Sequence, residues 1–206
     1  MLTENQLKIF EPLTRNIVKE YSIKEIKEDC GEKSNNALSL AFKKFKDENI
    51  VIERKVGRSL LYTINLDNDL TFYYLSILNS RKISKEINKT IKRIKEDIEK
   101  HTFFYSFVIF GSYVMGKQTK ESDLDIAIFI EYENKRKIIE TAIKSSELKN
   151  LLKIHGHVIS KDEFLDMLKA DYENLGKQIA RKHLSICNPS IFYSLLKKGI
   201  KDGFKY

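Results

Sequence analysis

Proline and glycine are scarce in this chain, two and eight among 206 residues, which argues against disordered tracts. There are two cysteines; Cys30 and Cys187 fit neither a metal-binding nor a redox spacing, so both are expected as reduced thiols, as in the cytoplasm. No apolar run reaches the length of a bilayer span, no signal-like segment opens the chain, and no repeat period is apparent. A cytoplasmic protein without a membrane partner is the expectation. Enough is left for one modest core per half, since 42% of residues are hydrophobic. Lys and Arg number 37 against 29 Asp and Glu, and the resulting +8 favours nucleic acid or other polyanions, although it is spread along the chain.

The N-terminal third has its own punctuation. Leu7, Phe10, Leu13, Ile17 and Val18 fall on helical spacing from Glu4 to about Val18, with Pro12 as a kink; Ser22 caps a short helix to Asp29, which Gly31 closes. From Lys33 to Glu48 the stripe Leu38, Ala41, Phe42 and Phe45 faces a core, and Asn35, Asn36, Ser39, Lys43 and Lys46 lie towards the other side. Ile50–Arg54 and Ser59–Ile64 read as short strands joined by Lys55-Val56-Gly57-Arg58, with Gly57 at the tip. Three helices followed by a basic-tipped hairpin is the order of a winged helix-turn-helix, and the segment from Leu2 to Asn65 resembles archaeal winged-helix domains that precede nucleotidyltransferase modules. On that reading Asn35, Asn36 and Ser39 meet base edges of double-stranded DNA, while Lys43, Arg54, Lys55 and Arg58 neutralise phosphates. The alternative is a small domain for protein contacts with a solvated lysine face. Charge does not separate the two, because residues 1–66 carry 12 basic and 10 acidic side chains.

Residues 67–101 read as a helical connector without Gly or Pro. Ile83, Ile87, Ile91, Ile94 and Ile98 recur at three and four residues, and lysines cover the rest. A membrane or nucleic-acid helix has such a pattern, but so narrow a stripe more often packs on a neighbouring domain or on a second copy of the chain, so a homodimer is one expectation.

Phe103 to Phe110 is an apolar, β-rich run ended by Gly111. Glycine lets backbone approach a ligand closely, and the N–H groups after it, with the Ser112 hydroxyl, suit an anionic phosphate. Ten residues later, past a loop holding Gly116, Lys117 and Lys120, Asp123-Leu124-Asp125 opens a second apolar run to Ile130. Strand side chains alternate, so both carboxylates point the same way, and two like charges in a partly buried site call for a cation such as Mg²⁺ bridged to substrate phosphates. A bare Asp-x-Asp is equally a pair of solvated aspartates. The strand, turn, basic loop and second strand together favour the phosphate-and-metal reading.

Gly111-Ser112, ten residues and Asp123-x-Asp125 resemble the G-S-x10-D-x-D signature of DNA-polymerase-β-like nucleotidyltransferases, in particular the minimal ones, over roughly the C-terminal half. The resemblance implies at 102–206 an α/β transferase domain with a small mixed sheet, and with the winged helix-turn-helix read at 1–66 and the helical connector read at 67–101 the expected fold is an α+β chain. It makes Asp123 and Asp125 the catalytic ligands of Mg²⁺ or Mn²⁺, and sets Gly111, Ser112 and Lys117 against a nucleoside triphosphate. The implied reaction moves a nucleoside monophosphate to a hydroxyl on a clamp of two cations about 4 Å apart. Minimal members in toxin–antitoxin pairs modify a partner protein, so a protein acceptor is implied as well.

The family usually carries a third carboxylate on the next core strand. Leu151–Ser160, ahead of the capping sequence Ser160-Lys161-Asp162-Glu163, contains none, and His155 and His157 share one face there. They are substitute ligands or a general base on one reading, and remnants of a site that lost a member on the other, since imidazole suits Mg²⁺ poorly. Two function classes follow: a nucleotidyltransferase coupled to DNA binding, or a transcriptional regulator whose degenerate transferase domain senses nucleotide. Helices from Lys161 to Ala170 and onward through Arg181, a strand near Leu184–Ile186 and a last helix from Pro189 to Lys201 complete the module.

Overall fold

The computed structural model describes residues 1–116, 122–148 and 152–205, and the chain divides into two compact units, Met1–Leu78 and Asn79–Tyr206. No helix among the described residues is long and apolar enough to cross a membrane.

In the first unit α1 (Glu4–Phe10) opens on a reciprocal cap between Thr3 and Gln6. The expected helix to Val18 stops early. Pro12 has no N–H for the helical ladder, and the chain tightens into a 3₁₀ turn over Glu11–Arg15. A two-residue strand that hydrophobic periodicity cannot register, β1 (Tyr21–Ser22), follows and leads directly into α2 (Ile23–Cys30). Ser22 caps α2, and its N–H and hydroxyl hold the Glu25 carboxyl down to about 2. The next helix, α3 (Asn35–Asp47), begins two residues later than the expected Lys33, because the Ser34 hydroxyl accepts from the Ala37 N–H and makes Ser34 the cap. β2 (Val51–Val56) and β3 (Ser59–Ile64) form an antiparallel hairpin that turns at Gly57, φ +59°, in a sheet of order β1-β3-β2. Phe42 and Phe45 of α3 anchor the core, with ring centroids 4.3 Å from Tyr62 and 5.3 Å from Phe10 respectively. Burying each such ring is worth about 1.5–3 kcal/mol.

The stretch read as a connector forms two helices, α4 (Asp69–Arg81) and α5 (Lys85–Glu99), the second capped by Ser84. The isoleucine stripe of α5 is consumed inside the second unit: Ile87, Ile91, Ile94 and Ile98 are buried against that unit's own sheet.

That sheet is small and mixed. Its strands are β4 (Tyr105–Ile109), β5 (Leu124–Ile130), β6 (Ile154–Ser160) and β7 (Leu184–Cys187) in the order β6-β5-β4-β7, with β5 and β6 parallel and the other pairs antiparallel. The parallel pair needs a crossover, supplied by α6 (Arg136–Leu148). One sheet face, with Phe107, Ile109, Ile126 and Val158, packs on α5 and α6. The other meets α7 (Lys161–Lys169) and α9 (Pro189–Lys201), where Phe129 lies 4.8 Å from Phe164 and 5.1 Å from Phe192. The short helix α8 (Leu175–Arg181) precedes β7. β4 starts at Tyr105 instead of Phe103, because its partner β5 ends at Ile130 opposite Tyr105; Phe103 and Phe104 are left exposed.

Candidate functional site

The site is built where β4 ends and β5 and β6 begin. Gly111 has φ +72°, a conformation an L side chain rarely adopts, and it opens a single 3₁₀ turn over Gly111–Tyr113. The Phe110 N–H donates to the Asp125 carbonyl at 3.1 Å, which pins this turn to the start of β5. The approach is so close that a Cβ on residue 111 would lie 2.0 Å from Asp125 Oδ2. Only a bare backbone fits beside that carboxylate.

Parallel pairing sets the other wall. The register puts His155 opposite Asp125 and His157 opposite Ala127. His155 Nδ1 lies 3.3 Å from Asp125 Oδ1, and the two imidazole centroids are 4.5 Å apart. Burial, then the neighbouring His155, pushes the His157 pKa below the usual histidine value, so its ring is neutral at physiological pH. Gly111, Asp125, His155 and His157 share a cleft of about 680 Å³ with Phe110 and Met115, and α8 closes its far side with Leu175, Gln178 and Arg181, next to Lys182. Arg181 Nη1 also donates to both carboxylate oxygens of Glu173, which lines the same cleft, at 2.8 and 2.7 Å.

The structure thus gathers Gly111 and Asp125 with both histidines in one cleft. Ser112 stands beside Gly111 in the same turn, half-buried. Asp123 is exposed one residue ahead of β5, and the adjoining Leu124 N–H donates to the Lys153 carbonyl at 2.9 Å. Lys117 and Lys120 lie outside the described residues. Among the described residues no three His, Cys, Asp or Glu side chains converge as a ready metal cage. The hard oxygen donors that the cleft could offer a cation beside the Gly111 turn are those of Asp125, with His155 Nδ1 3.3 Å away; Asp123, two residues earlier, is exposed and is not among the cleft-lining residues. That set suits a cation which brings most of its remaining ligands from a triphosphate and water.

The α8 wall had no place among the sequence-derived candidates. Its one signal was the adjacent basic pair Arg181-Lys182, indistinguishable in sequence from a solvated helix end.

In the first unit, Asn35, Asn36, Ser39 and Lys43 are exposed on α3, as are Arg54, Lys55 and Arg58 on the hairpin. Two are already engaged within the unit. The Asn35 amide oxygen accepts from Lys27 Nζ at 2.6 Å, and Arg54 forms a fork on the Glu20 carboxylate.

Against known proteins, the family model described as "Polymerase beta, Nucleotidyltransferase" matches residues 92–200. No curated protein and no solved structure matches the chain.

Proposed function

This chain belongs to the polymerase beta nucleotidyltransferase family, and we propose that it is a metal-dependent nucleotidyltransferase moving a nucleoside monophosphate from a triphosphate to an acceptor hydroxyl, a protein hydroxyl among the acceptors, while its first unit binds double-stranded DNA. The observation that carries the reaction is the press of the Gly111 backbone on Asp125 at the mouth of the α8 cleft, 2.0 Å from a Cβ that is absent.

A divalent cation, Mg²⁺ or Mn²⁺, held by Asp123 and Asp125 would neutralise the triphosphate and polarise the α-phosphate. The chain's own residues do the rest. N–H groups of the Gly111 turn and the Ser112 hydroxyl grip phosphate oxygens. Lys182 supplies positive charge from the opposite wall beside the Arg181–Glu173 pair, and Phe110, Met115 and Leu175 give the base an apolar surface. The acceptor oxygen forms its bond to the α-phosphorus as the bond to pyrophosphate breaks. The hydroxyl proton passes to the neutral imidazole of His157, whose lowered pKa keeps it ready to accept, while His155 orients Asp125.

The order α1-β1-α2-α3-β2-β3, with the sheet β1-β3-β2, supports a winged helix-turn-helix in the first unit, α3 lying in the major groove and the hairpin on phosphates. One observation favours a second reading. His155 stands opposite Asp125 where a carboxylate would complete a metal site, as expected of a regulator that senses nucleotide without turnover.

Incubating the protein with labelled nucleoside triphosphates, Mg²⁺ or Mn²⁺ and host lysate decides between them. Label on protein or RNA that disappears in the Asp123→Asn, Asp125→Asn variant supports the transferase. Triphosphate binding without transferred label supports the sensor.

A further inference from the structure

The isoleucine face of α5 is buried in the core of the second unit, and the other face of this helix carries the exposed Lys85, Lys89 and Lys92. That face lines a groove of about 720 Å³ together with Ile186 of the edge strand β7. Lys85, Lys89, Lys92 and Lys95 project into it at intervals of four, three and three residues. On a helix these positions recur along one side and span about 15 Å, a length over which one strand of duplex DNA presents about four phosphates. Two acids share the groove, and both sit at its C-terminal end: Glu96 is 4.0 Å from Lys92, and Glu99 accepts the Tyr105 hydroxyl at 2.9 Å. Lys85 and Lys89 therefore hold their charge at the N-terminal end of the helix, whose own dipole adds to it.

We infer that this groove is a second nucleic-acid surface, through which the transferase unit itself holds a phosphate backbone independently of the first unit. A membrane is the weaker occupant. Lipid-binding helices insert an apolar face, and here that face is committed to the core at 0–2% exposure. Flexible ammonium groups beside an aliphatic floor, with no guanidinium fork, fit charge neutralisation rather than base reading, so binding is insensitive to sequence.

The test uses the full chain and a fluorescent 20-base-pair duplex, with affinity measured by anisotropy across a salt series. The variants are Lys85→Gln/Lys89→Gln/Lys92→Gln, Lys55→Gln/Arg58→Gln in the first unit's hairpin, and the two sets combined. The lysine triple should bind at least roughly tenfold more weakly at low salt, and its salt slope should be shallower by about 2.7, in both hairpin backgrounds. These lysines are exposed, and melting curves matching the parent establish that the variant folds; the single reversal Lys89→Glu, which leaves the other lysines in place, should weaken binding on its own. Parental affinity and slope in the lysine variants, in both backgrounds, would overturn the inference, as would tighter lysine-dependent binding to phosphatidylserine vesicles than to duplex. If the hairpin variant binds like the parent while the lysine triple does not, the DNA reading of the first unit falls and this inference stands.

Discussion

Replacing Gly111 by alanine combines two costs that the structure allows to be separated. The first is conformational: φ is +72° at this residue, and an L side chain in the left-handed region loses about 1–2 kcal/mol. The second is contact. The new Cβ would meet Asp125 Oδ2 at 2.0 Å and Cγ at 2.8 Å, and driving that side chain off its rotamer costs about 0.5–1.5 kcal/mol. Gly116 provides the control, with φ +64° and nothing among the described residues within 4 Å of where a Cβ would lie, so Gly116→Ala carries the first cost without the contact. At roughly 4 °C per kcal/mol for a unit of this size, Gly111→Ala should melt about 6–14 °C below the parent and Gly116→Ala about 4–8 °C below.

The contact also has a functional consequence, because relief comes by moving Asp125 away from the turn and from His155. Calorimetric titration with a nucleoside triphosphate and Mg²⁺ should therefore show a large loss of affinity for Gly111→Ala and a small one for Gly116→Ala. Two alanine variants that melt together and bind alike would refute the idea that the turn is pressed on a working carboxylate.

Three further outcomes are expected. Changing Asp123 and Asp125 together to Asn keeps shape but removes both negative charges, so metal-dependent triphosphate binding should vanish from calorimetry while the melting curve is retained; Ser112→Ala should cost only about 1 kcal/mol of binding. In gel shifts, Lys55→Gln/Arg58→Gln should weaken binding to all DNA fragments alike, whereas Asn36→Ala/Ser39→Ala should flatten preference among them; the reverse pattern would dismiss the docking of α3 in the groove. Burial holds the His183 pKa down to about 4, against the pull of its Nδ1–H bonds to the Ile179 and Ala180 carbonyls. The folded state therefore binds the proton less readily than the unfolded chain, and up to about 3 kcal/mol of stability present above pH ~6.5 is lost as pH falls towards 4. Parent and His183→Gln should diverge in melting temperature at pH 7.5 and converge near pH 4.5, and parallel pH curves would count against the assignment.

Most elements of both units were legible because local signals agreed. Ser22 and Ser160 accept an N–H of the turns they open, as their capping sequences indicate, and the apolar stripes behind them have the right period; Thr3, Ser34 and Ser84 cap in the same way but are not among the caps expected from sequence. What escaped was set by partners. β1 is a strand only because Tyr21 and Ser22 meet Tyr62 and Leu61 across the sheet, and β4 starts where β5 runs out, leaving Phe103 and Phe104 exposed. The isoleucines of α5 announced a buried face without saying which surface would bury it.

The candidate site divides along the same line. Gly111, Asp125 and the two histidines were visible because strand alternation and a turn glycine are local properties, and the parallel register of β5 with β6 brought them together as alternation requires. The opposite wall depends on long-range placement. Gly176 of α8 is packed on α7 so closely that a Cβ there would lie 2.6 Å from Met167, and β7, directly after α8, pairs with β4 rather than with its sequence neighbour β6. That pairing returns Arg181 and Lys182 to the strand whose end carries Gly111. No periodicity within residues 170–190 encodes it, so the cations facing the carboxylate emerge only when the sheet order is known.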